Sequence, residues 1–237
     1  MKVKLISYSA PSKELFDDNL RDLQGLIAYA ARVSNPSNQM NSETAEKLLK
    51  YLIKHKHWSP FEMVSVCMEI ETTRDIARQI LRHRSFSFQE FSQRYADPTT
   101  DLSFELRATR LQDPKNRQNS IDEGIDFEFD LEWSRRQQEV IDKAKEAYQW
   151  AIQNGIAKEQ ARAVLPEGNT VSRMYMNGTL RSWIHYIELR GANGTQKEHI
   201  DIAQAIGKVI YEIFPFKNLI EHNVWHTIEL ADKRQKK

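Results

Sequence analysis

The stretch VSVCMEIETTRDIARQILRHRSFSFQEFSQRY, residues 64–95, contains the clearest change of periodicity in the chain. Residues 63–71 alternate between apolar and polar side chains, which is typical of a half-buried strand. Either Thr72 or Thr73 can cap a helix that follows at once. We expect that helix to end near Arg84. A strand that leads directly into a helix indicates a fold of mixed class.

Further helices and strands are expected on both sides of this stretch. Hydrophobic spacing predicts helices over about 13–31, 42–56, 130–153, 158–164, 180–190 and 195–214, and strands over 3–9 and 170–176. Thr195–Glu198 has the pattern of a capping box. Residues 97–126 lack periodicity and are expected to form a long loop excursion, and 231–237 form a polar tail. The sequence therefore predicts an α+β fold, an α/β core of a few strands packed with many helices, in one domain over 1–237.

The composition is typical of a globular protein. The chain has 237 residues, of which 40% are hydrophobic and 28% charged, and its formal net charge is +1. Disorder and a global attraction to nucleic acid or membrane are therefore not expected. The one cysteine, Cys67, excludes an internal disulfide and a cysteine-rich metal site, and it favours a reducing compartment. No uncharged apolar stretch reaches about 18 residues, and the N-terminal segment resembles neither a secretory signal nor an anchor. We expect a cytoplasmic location and no membrane partner.

The basic residues in the middle of the chain are all arginines. Between residues 57 and 114 the sequence has seven arginines and no lysine. Arginines four residues apart would lie along one helix face: Arg74, Arg78 and Arg82. The planar fork of arginine suits phosphate or carboxylate groups, which it binds through paired hydrogen bonds. The spacing has two interpretations, an anion site or a solvated helix face with salt bridges to Asp75 and Glu90.

The residues after the arginine helix favour a nucleotide as the anion. Arg82-His83-Arg84 would direct charge to several sides of a helix end, and serine and glutamine then alternate with Phe86, Phe88 and Phe91. Donors for a phosphate and a base thus share one segment with flat apolar side chains. A nucleic-acid-binding module, with arginines as phosphate clamp and phenylalanines as stacking platform, is the alternative. The acidic stretch DEGIDFEFDLE and the near-zero net charge argue against it.

The same residues resemble a known family. Arg82-His83-Arg84, seven further residues and Ser92 form the RHR-x7-S motif of the flavin-dependent thymidylate synthases, and Gln79, Glu90, Arg94 and Tyr95 also fit its pattern. Other segments resemble the family in the expected order: AARVSNP at 30–36, HWSPFE at 57–62, RAVLP at 162–166 and LRSWIHYIELR at 180–190. The resemblance covers roughly residues 26–200.

The resemblance implies an activity and an assembly. Members of this family are homotetramers whose active sites are assembled from several subunits around FAD. They convert dUMP to dTMP, with methylenetetrahydrofolate as carbon donor and reduced flavin, reloaded by NADPH, as hydride donor. The resemblance implies small-molecule substrates and no nucleic-acid partner. One-carbon transfer to a different pyrimidine nucleotide on the same fold stays open.

The resemblance also implies roles for individual residues. The FAD contacts would be Ser59, Arg82, His83, Arg84, Glu90, Arg181, His185 and His57. The dUMP contacts would be Gln79, Arg82, Glu90, Phe91, Ser92, Gln93, Arg94, Arg162 and Arg190. Arg190 would be catalytic, because a guanidinium at the uracil can stabilise negative charge that develops on the ring. His57 can equally be an ordinary surface histidine, and Ser92 an ordinary turn serine. No histidines show metal-ligand spacing with a third ligand, so we predict no metal.

Cys67 and two aromatic residues have simpler interpretations. Cys67 lies in an alternating strand with no helix terminus beside it, so an activated thiolate is not expected. This favours a hydride route without an enzyme nucleophile. Trp183 and Tyr186 are expected to belong to the core rather than to stack on a flavin.

Four positions depart from the family pattern. Gly194 stands where the family commonly has histidine, Thr179 where asparagine is common, Met63 where histidine is frequent, and Gln89 in place of asparagine. None of these replaces an arginine of the implied nucleotide site. The departures therefore indicate a divergent subfamily.

Overall fold

Strands and helices are interspersed along the chain in the computed structural model, which describes residues 1–15, 20–192 and 194–215. The strands are β1 (Lys2–Tyr8), β2 (Ser65–Thr73), β3 (Phe86–Glu90), β4 (Leu111–Gln112), β5 (Ser120–Ile121) and β6 (Val171–Thr179). The helices are α1 (Leu23–Ala31), α2 (Ala45–Lys54), α3 (Arg74–Ile80), α4 (Pro98–Asp101), α5 (Phe127–Gln153), α6 (Lys158–Ala161), α7 (Leu180–Arg190) and α8 (Lys197–Ile213). Single turns of 3-10 helix lie at Pro36–Asn38, Ser59–Glu62 and Arg162–Val164. This mixture confirms the α+β class.

The main sheet has the strand order β1-β2-β6-β3. β1, which covers most of the strand predicted over 3–9, lies at an edge of this sheet. The alternation around β2 is also confirmed, because one set of side chains is fully buried while the residues between them are partly exposed. The buried set is Val64, Val66, Met68 and Ile70.

Most other predicted elements lie near their predicted positions. α5 is followed by Gly155, which adopts a positive φ of 79° at the end of the helix. Residues 158–164 form α6 and one 3-10 turn before Pro166, and α7 covers the predicted residues 180–190. β6 extends beyond the predicted strand, to Thr179.

The prediction for the arginine helix is wrong at its C-terminal end. α3 stops at Ile80, and the His83 N–H donates to the Ile80 carbonyl at 3.0 Å, a turn of three residues that is tighter than an α-helix. Arg82 therefore does not share a helix face with the earlier arginines. Thr73 occupies the N-cap position, but its hydroxyl donates to the Asp75 carboxylate at 2.6 Å instead of capping the backbone.

Two other helix starts also differ from the predictions. α1 begins at Leu23, where the Asp22 side chain accepts a hydrogen bond from the Gly25 N–H at 2.8 Å. Ser12–Leu15 form a turn instead of helix, and residues 16–19 lie outside the described part. The capping box at 195–198 is wrong because Gln196 takes the N-cap position of α8, and its side-chain amide donates to the Glu198 carboxylate.

The excursion at 97–126 contains regular structure that the sequence did not indicate. It begins with α4, capped by the Asp97 carboxylate, which accepts from the Thr99 N–H at 2.8 Å. It continues into the antiparallel pair β4–β5, with Leu111 opposite Ile121 and Gln112 opposite Ser120. The Asp113 carboxylate accepts backbone N–H bonds in the connecting loop. Hydrogen bonds from side chains to the backbone order this region. Because hydrophobic spacing does not reveal such bonds, the sequence predicted only a loop.

Packing divides the described chain into two units. The first unit consists of Met1–Lys2, Ile70–Arg84 and Phe88–Tyr175, and the second of Val3–Glu69, Ser85–Ser87 and the residues from Met176 onward. In the first unit α5 packs on α6, around a small core of Tyr148, Ala151, Ala161 and Leu165. The expectation of a single domain over 1–237 stays a prediction, and the predicted tail at 231–237 lies outside the described residues.

The second unit combines packed helix pairs with a group of aromatic contacts. α1 packs on α2 and α7 packs on α8. The Phe86 ring lies edge-on to Trp183, with centroids 4.7 Å apart, and to Tyr186 at 5.9 Å. The Trp183 indole N–H donates to the Val66 carbonyl at 3.0 Å. Trp183 and Tyr186 are buried core residues, as predicted.

Candidate active site

Arg82 and Arg84 lie in the turn between α3 and β3, where both side chains are exposed and His83 is half-buried. No carboxylate of residues 1–15, 20–192 or 194–215 lies within ion-pair distance of either guanidinium. Most other arginines of the described chain have such a partner. Two neighbouring unpaired guanidinium groups make this turn suitable for an anion.

The arginines of α3 behave differently. Arg78 binds Glu167 through two bonds, from Nε to Oε2 at 2.8 Å and from Nη2 to Oε1 at 2.7 Å. Hydrogen bonding from Arg78 is the main reason why the pKa of the Glu167 carboxyl lies below its usual value. Arg74 lies 3.7 Å from both Glu167 and Glu90. The salt-bridge interpretation is therefore correct for these two residues, although Asp75 pairs with Arg107 instead. The basic stripe that a nucleic-acid-binding module requires is absent from α3.

Residues 90–94 continue from the end of β3 into a tight turn. The Phe91 N–H donates to the Arg173 carbonyl at 2.8 Å, and the Ser92 carbonyl accepts from the N–H groups of residues 95 and 96. The Ser92 hydroxyl accepts a long 3.4 Å bond from the Arg94 N–H, as a turn serine does. The Gln93 side chain is only 4% exposed, and its Nε2 has no partner in the described chain. An unpaired buried amide costs free energy until it gains an acceptor, which a ligand bound at this turn could supply.

Arg94 and Arg162 both contact Glu159. The Arg94 Nε lies 3.2 Å from Oε2 of Glu159, and the Arg162 Nε donates to the Glu159 carbonyl at 3.3 Å. Lys158 donates from Nζ to the Tyr95 carbonyl at 3.0 Å, which links the same two segments. The fold thus brings together two predicted nucleotide arginines that are 68 positions apart in the sequence.

All the site residues considered so far, together with the half-buried Gln79 on α3, belong to the first unit. The second unit holds the others: His57, Ser59, Arg181, His185 and Arg190.

In the second unit, the HWSPFE segment meets α7. Arg181 forms an ion pair with Glu62, and the His185 ring packs edge-on against Trp58, with centroids 4.8 Å apart. Burial lowers the pKa of His185, and the charge of Arg181 lowers it further. His185 is therefore expected to be neutral near pH 7.

Two further residues of the HWSPFE segment are accessible. Ser59 opens a 3-10 turn and is exposed, and His57 is exposed near the rings of Tyr51 and His55, at 6.0 and 6.2 Å. Neither side chain is part of the core. Both can therefore reach a ligand without unfolding their surroundings.

Arg190 is the last residue of α7 and is half-buried. Tyr186 lies one turn earlier on the same face, fully buried, and its hydroxyl is 2.8 Å from Nε2 of His199 on α8. Burial raises the pKa of Tyr186, and the positive charge of Arg190 acts in the opposite direction. The end of α7 is thus anchored by a buried hydrogen bond beneath Arg190.

Some contacts of the site residues could not be found from the sequence. Glu62 and Trp58 lie within a segment that the sequence analysis singled out, so their nearness to site residues was open to prediction. Glu159 carries no such signal, because nothing in its neighbourhood indicates that it faces Arg94.

Among the described residues no group of three or more His, Cys, Asp or Glu side chains could hold a metal ion, and no described helix has the length and apolar character needed to cross a membrane.

Cys67 is a free thiol, partly exposed on β2, and burial raises its pKa. A raised pKa reduces the thiolate fraction that a nucleophile needs. We predict that Cys67→Ala keeps the rate of product formation within about twofold, measured as steady-state turnover. Loss of turnover in a variant with an unchanged melting curve would contradict this and require a thiolate mechanism.

Two unpaired arginines in one turn, with Arg94 and Arg162 both beside Glu159, form an arrangement that suits phosphate-bearing ligands. The chain matches the family model described as "Thymidylate synthase complementing protein" over residues 14–216. It therefore belongs to the family of flavin-dependent thymidylate synthases.

Its relatives include a viral and a cyanobacterial protein. The chain is 49% identical over 215 residues to the probable flavin-dependent thymidylate synthase of Paramecium bursaria Chlorella virus 1, covering 91% of this chain and 96% of that protein. It is 48% identical over 217 residues to the flavin-dependent thymidylate synthase of Synechocystis sp., with the same coverage. A more distant relative, the flavin-dependent thymidylate synthase of Thermus thermophilus, is 34% identical over 80% of this chain and 68% of its own length.

Proposed function

We propose that the protein converts dUMP to dTMP, with 5,10-methylenetetrahydrofolate as carbon donor and reduced FAD, reloaded by NADPH, as hydride donor. The observation that carries the proposal is the pair of exposed, unpaired arginines within the RHR-x7-S motif. The relatives are named flavin-dependent thymidylate synthases, which supports the same activity.

The residues present fit a flavin dinucleotide. The unpaired guanidinium groups of Arg82 and Arg84 suit its diphosphate, and His83 and Glu90 of the same unit would add further contacts. The family resemblance also assigns FAD contacts to four residues of the second unit: His57, Ser59, Arg181 and His185. When bound, the flavin supplies the hydride that reduces the transferred carbon to a methyl group. The chain itself contributes charge and position, and the pKa of Cys67 agrees with a route that needs no cysteine nucleophile.

The nucleotide would be held by a second set of residues. Gln79, Arg82, Arg162 and the segment Glu90–Arg94, including Phe91, Ser92 and Gln93, would bind dUMP. Arg94 suits the phosphate because it already binds the carboxylate of Glu159, and Arg162 lies beside it, at the backbone carbonyl of the same residue. Each charge-assisted bond contributes about 1.5 to 3 kcal/mol, so a few arginines can account for micromolar affinity. Arg190 would face the uracil and stabilise negative charge on the ring.

We also propose that the protein is a homotetramer with active sites at subunit interfaces. The long helix α5 exposes large apolar side chains that a second copy could cover: Phe127, Phe129, Leu131, Trp133, Val140 and Trp150. Light scattering on the purified protein should give about four times the chain mass of 27.8 kDa. A monomeric mass would contradict this assembly.

A cytoplasmic location is proposed because the one cysteine is a free thiol.

The decisive experiment is an omission assay. Purified protein is incubated without oxygen with dUMP, methylenetetrahydrofolate, FAD and NADPH, and dTMP is detected by mass. We expect dTMP only when all components are present. If FAD and dUMP bind but no dTMP forms, the substrate or the carbon donor differs, as in transfer to another pyrimidine nucleotide. If neither ligand binds, the proposed function is wrong.

Removing the carboxylate of Glu159 is expected to strengthen dUMP binding. Because Glu159 pairs with Arg94 at the surface, a phosphate has to displace it, and an exposed pair of this kind contributes up to about 1 kcal/mol. Glu159→Gln should therefore lower the Kd for dUMP by about two- to fivefold, measured by calorimetry. Deoxyuridine, which lacks the phosphate, should not gain affinity. Glu146→Gln on α5 is the matched control, because Glu146 pairs with Lys143. Unchanged or weaker dUMP binding in Glu159→Gln would disprove the competition.

A further inference from the structure

The carboxylate of Glu90 is held from two directions. Glu90 is the last residue of β3, and its Oε1 accepts a 2.7 Å hydrogen bond from the hydroxyl of Ser172 on β6. The same oxygen lies 3.7 Å from Nη1 of Arg74, at the start of α3. Three elements of the first unit therefore meet at one carboxylate oxygen.

Both residues that hold Glu90 are buried. Ser172 is fully buried, and the Arg74 side chain is only 11% exposed. A buried hydroxyl and a buried guanidinium require partners, so these two side chains are committed to the contacts they make. Glu90 itself remains 22% exposed, which leaves part of its side chain accessible to a ligand.

Arg74 is fixed at several points. Its backbone N–H donates to the Thr170 carbonyl at 2.9 Å, and its Nε lies 3.7 Å from Glu167. Glu167 is in turn held by the two bonds from Arg78. The charge beside Glu90 thus has little freedom to move away.

We propose that Ser172 and Arg74 are positioning residues that hold Oε1 of Glu90 and so present Oε2 to a donor N–H or O–H of the bound nucleotide or flavin. Both contacts reach Oε1, which fixes the rotation of the carboxylate about its own axis. A carboxylate oriented in advance loses less conformational freedom when the ligand binds. This inference rests on the proposed function, in which Glu90 contacts a ligand.

The first test compares two side chains of the same shape at position 172. Ser172→Thr keeps the hydroxyl and Ser172→Val removes it, while both add the same bulk. We expect Ser172→Val to bind dUMP or FAD about tenfold more weakly than Ser172→Thr, measured by calorimetry for dUMP and by the visible absorbance of the flavin. The ligand that loses affinity is the one that Glu90 contacts. Equal affinities of both variants for both ligands would overturn the role of Ser172.

A second pair keeps the inference testable if position 172 does not tolerate bulk. Arg74→Met removes the charge that lies 3.7 Å from Oε1 of Glu90, and Arg78→Met removes a charge from the same helix that binds Glu167 and lies beyond ion-pair distance of Glu90. Arg74→Met should weaken ligand binding several-fold more than Arg78→Met, because Arg78 acts on Glu90 only through its more distant charge and through Glu167. A matching loss in Arg78→Met would show that the effect comes from α3 as a whole and would overturn the positioning role of Arg74.

A double-mutant cycle separates positioning from general stability. In a Glu90→Gln background the change from Thr to Val at position 172 should have a much smaller effect on affinity, because the group it positions has been altered. Undiminished losses in that background would mean that Ser172 does not act through Glu90. The binding readouts do not depend on turnover, so a wild-type protein that forms no dTMP refutes the proposed function while the ligand affinities still decide the inference.

Discussion

Arg190→Ala should reduce the rate of dTMP formation by about a hundred- to a thousandfold and leave the assembly intact. A donor aimed at charge that develops during reaction contributes this much when it is removed. The side chain lies at the end of α7, on a helix turn anchored by the buried bond between Tyr186 and His199, so its loss is not expected to disturb the fold. The effect should fall mainly on kcat.

The control for this variant is its neighbour. Leu189→Ala alters an exposed side chain on the same helix turn and should retain full turnover. Arg190→Lys keeps the charge without the planar fork, and intermediate turnover would show that geometry contributes beside charge. Turnover is followed by mass-resolved detection of dTMP, and light scattering checks the assembly. Full activity of Arg190→Ala would remove the role assigned to Arg190.

Gly178→Ala should destabilise the protein by about 1 to 3 kcal/mol, the usual range for forcing a methyl group into a packed core. A Cβ at Gly178 would lie 2.6 Å from Cε1 of Phe86 and 3.3 Å from its Cγ. The Phe86 ring cannot easily yield, because Trp183 and Tyr186 pack against it. The melting temperature should fall by several degrees.

Gly168→Ala provides the matched control, since a Cβ there would meet nothing within 4 Å. Its melting temperature should stay close to that of the wild-type protein, as followed by circular dichroism. If Gly178→Ala and Gly168→Ala melt together, the contact between Gly178 and Phe86 does not limit stability. The prediction for the aromatic contacts would then be wrong.

The sequence predicted elements well where one hydrophobic period persisted. The alternation over 63–71 placed β2 and its buried face, and the spacing over 180–190 placed α7. The prediction failed at helix ends whose positions are set by side-chain hydrogen bonds or by tight turns. Asp22 starts α1 later than the apolar spacing indicates, and the three-residue turn at Ile80 ends α3 early. These bonds depend on local geometry, which hydrophobic periodicity does not record.

The candidate site also has a part that the sequence could predict and a part that it could not. Arg82, His83 and Arg84 were recognisable because the motif is local in the sequence. The partners of the site residues were not, because Glu159 and Ser172 come from other elements and become neighbours of Arg94 and Glu90 only in the folded chain. The four-residue spacing could not decide between its two interpretations for Arg74 and Arg78, since periodicity cannot tell an arginine that awaits a ligand from one already paired.

The turn that carries Arg82 and Arg84 has a consequence for the thermodynamics of ligand capture. It spans only Leu81–Ser85, and the residues on either side, Ile80 and Phe86, are buried. The backbone entropy of these five residues is therefore lost when the protein folds, and an incoming ligand has to immobilise only side chains. Ligand affinity should consequently depend on how firmly Phe86 is packed. Substitutions that loosen its aromatic neighbours are expected to weaken binding at temperatures well below those at which the chain unfolds.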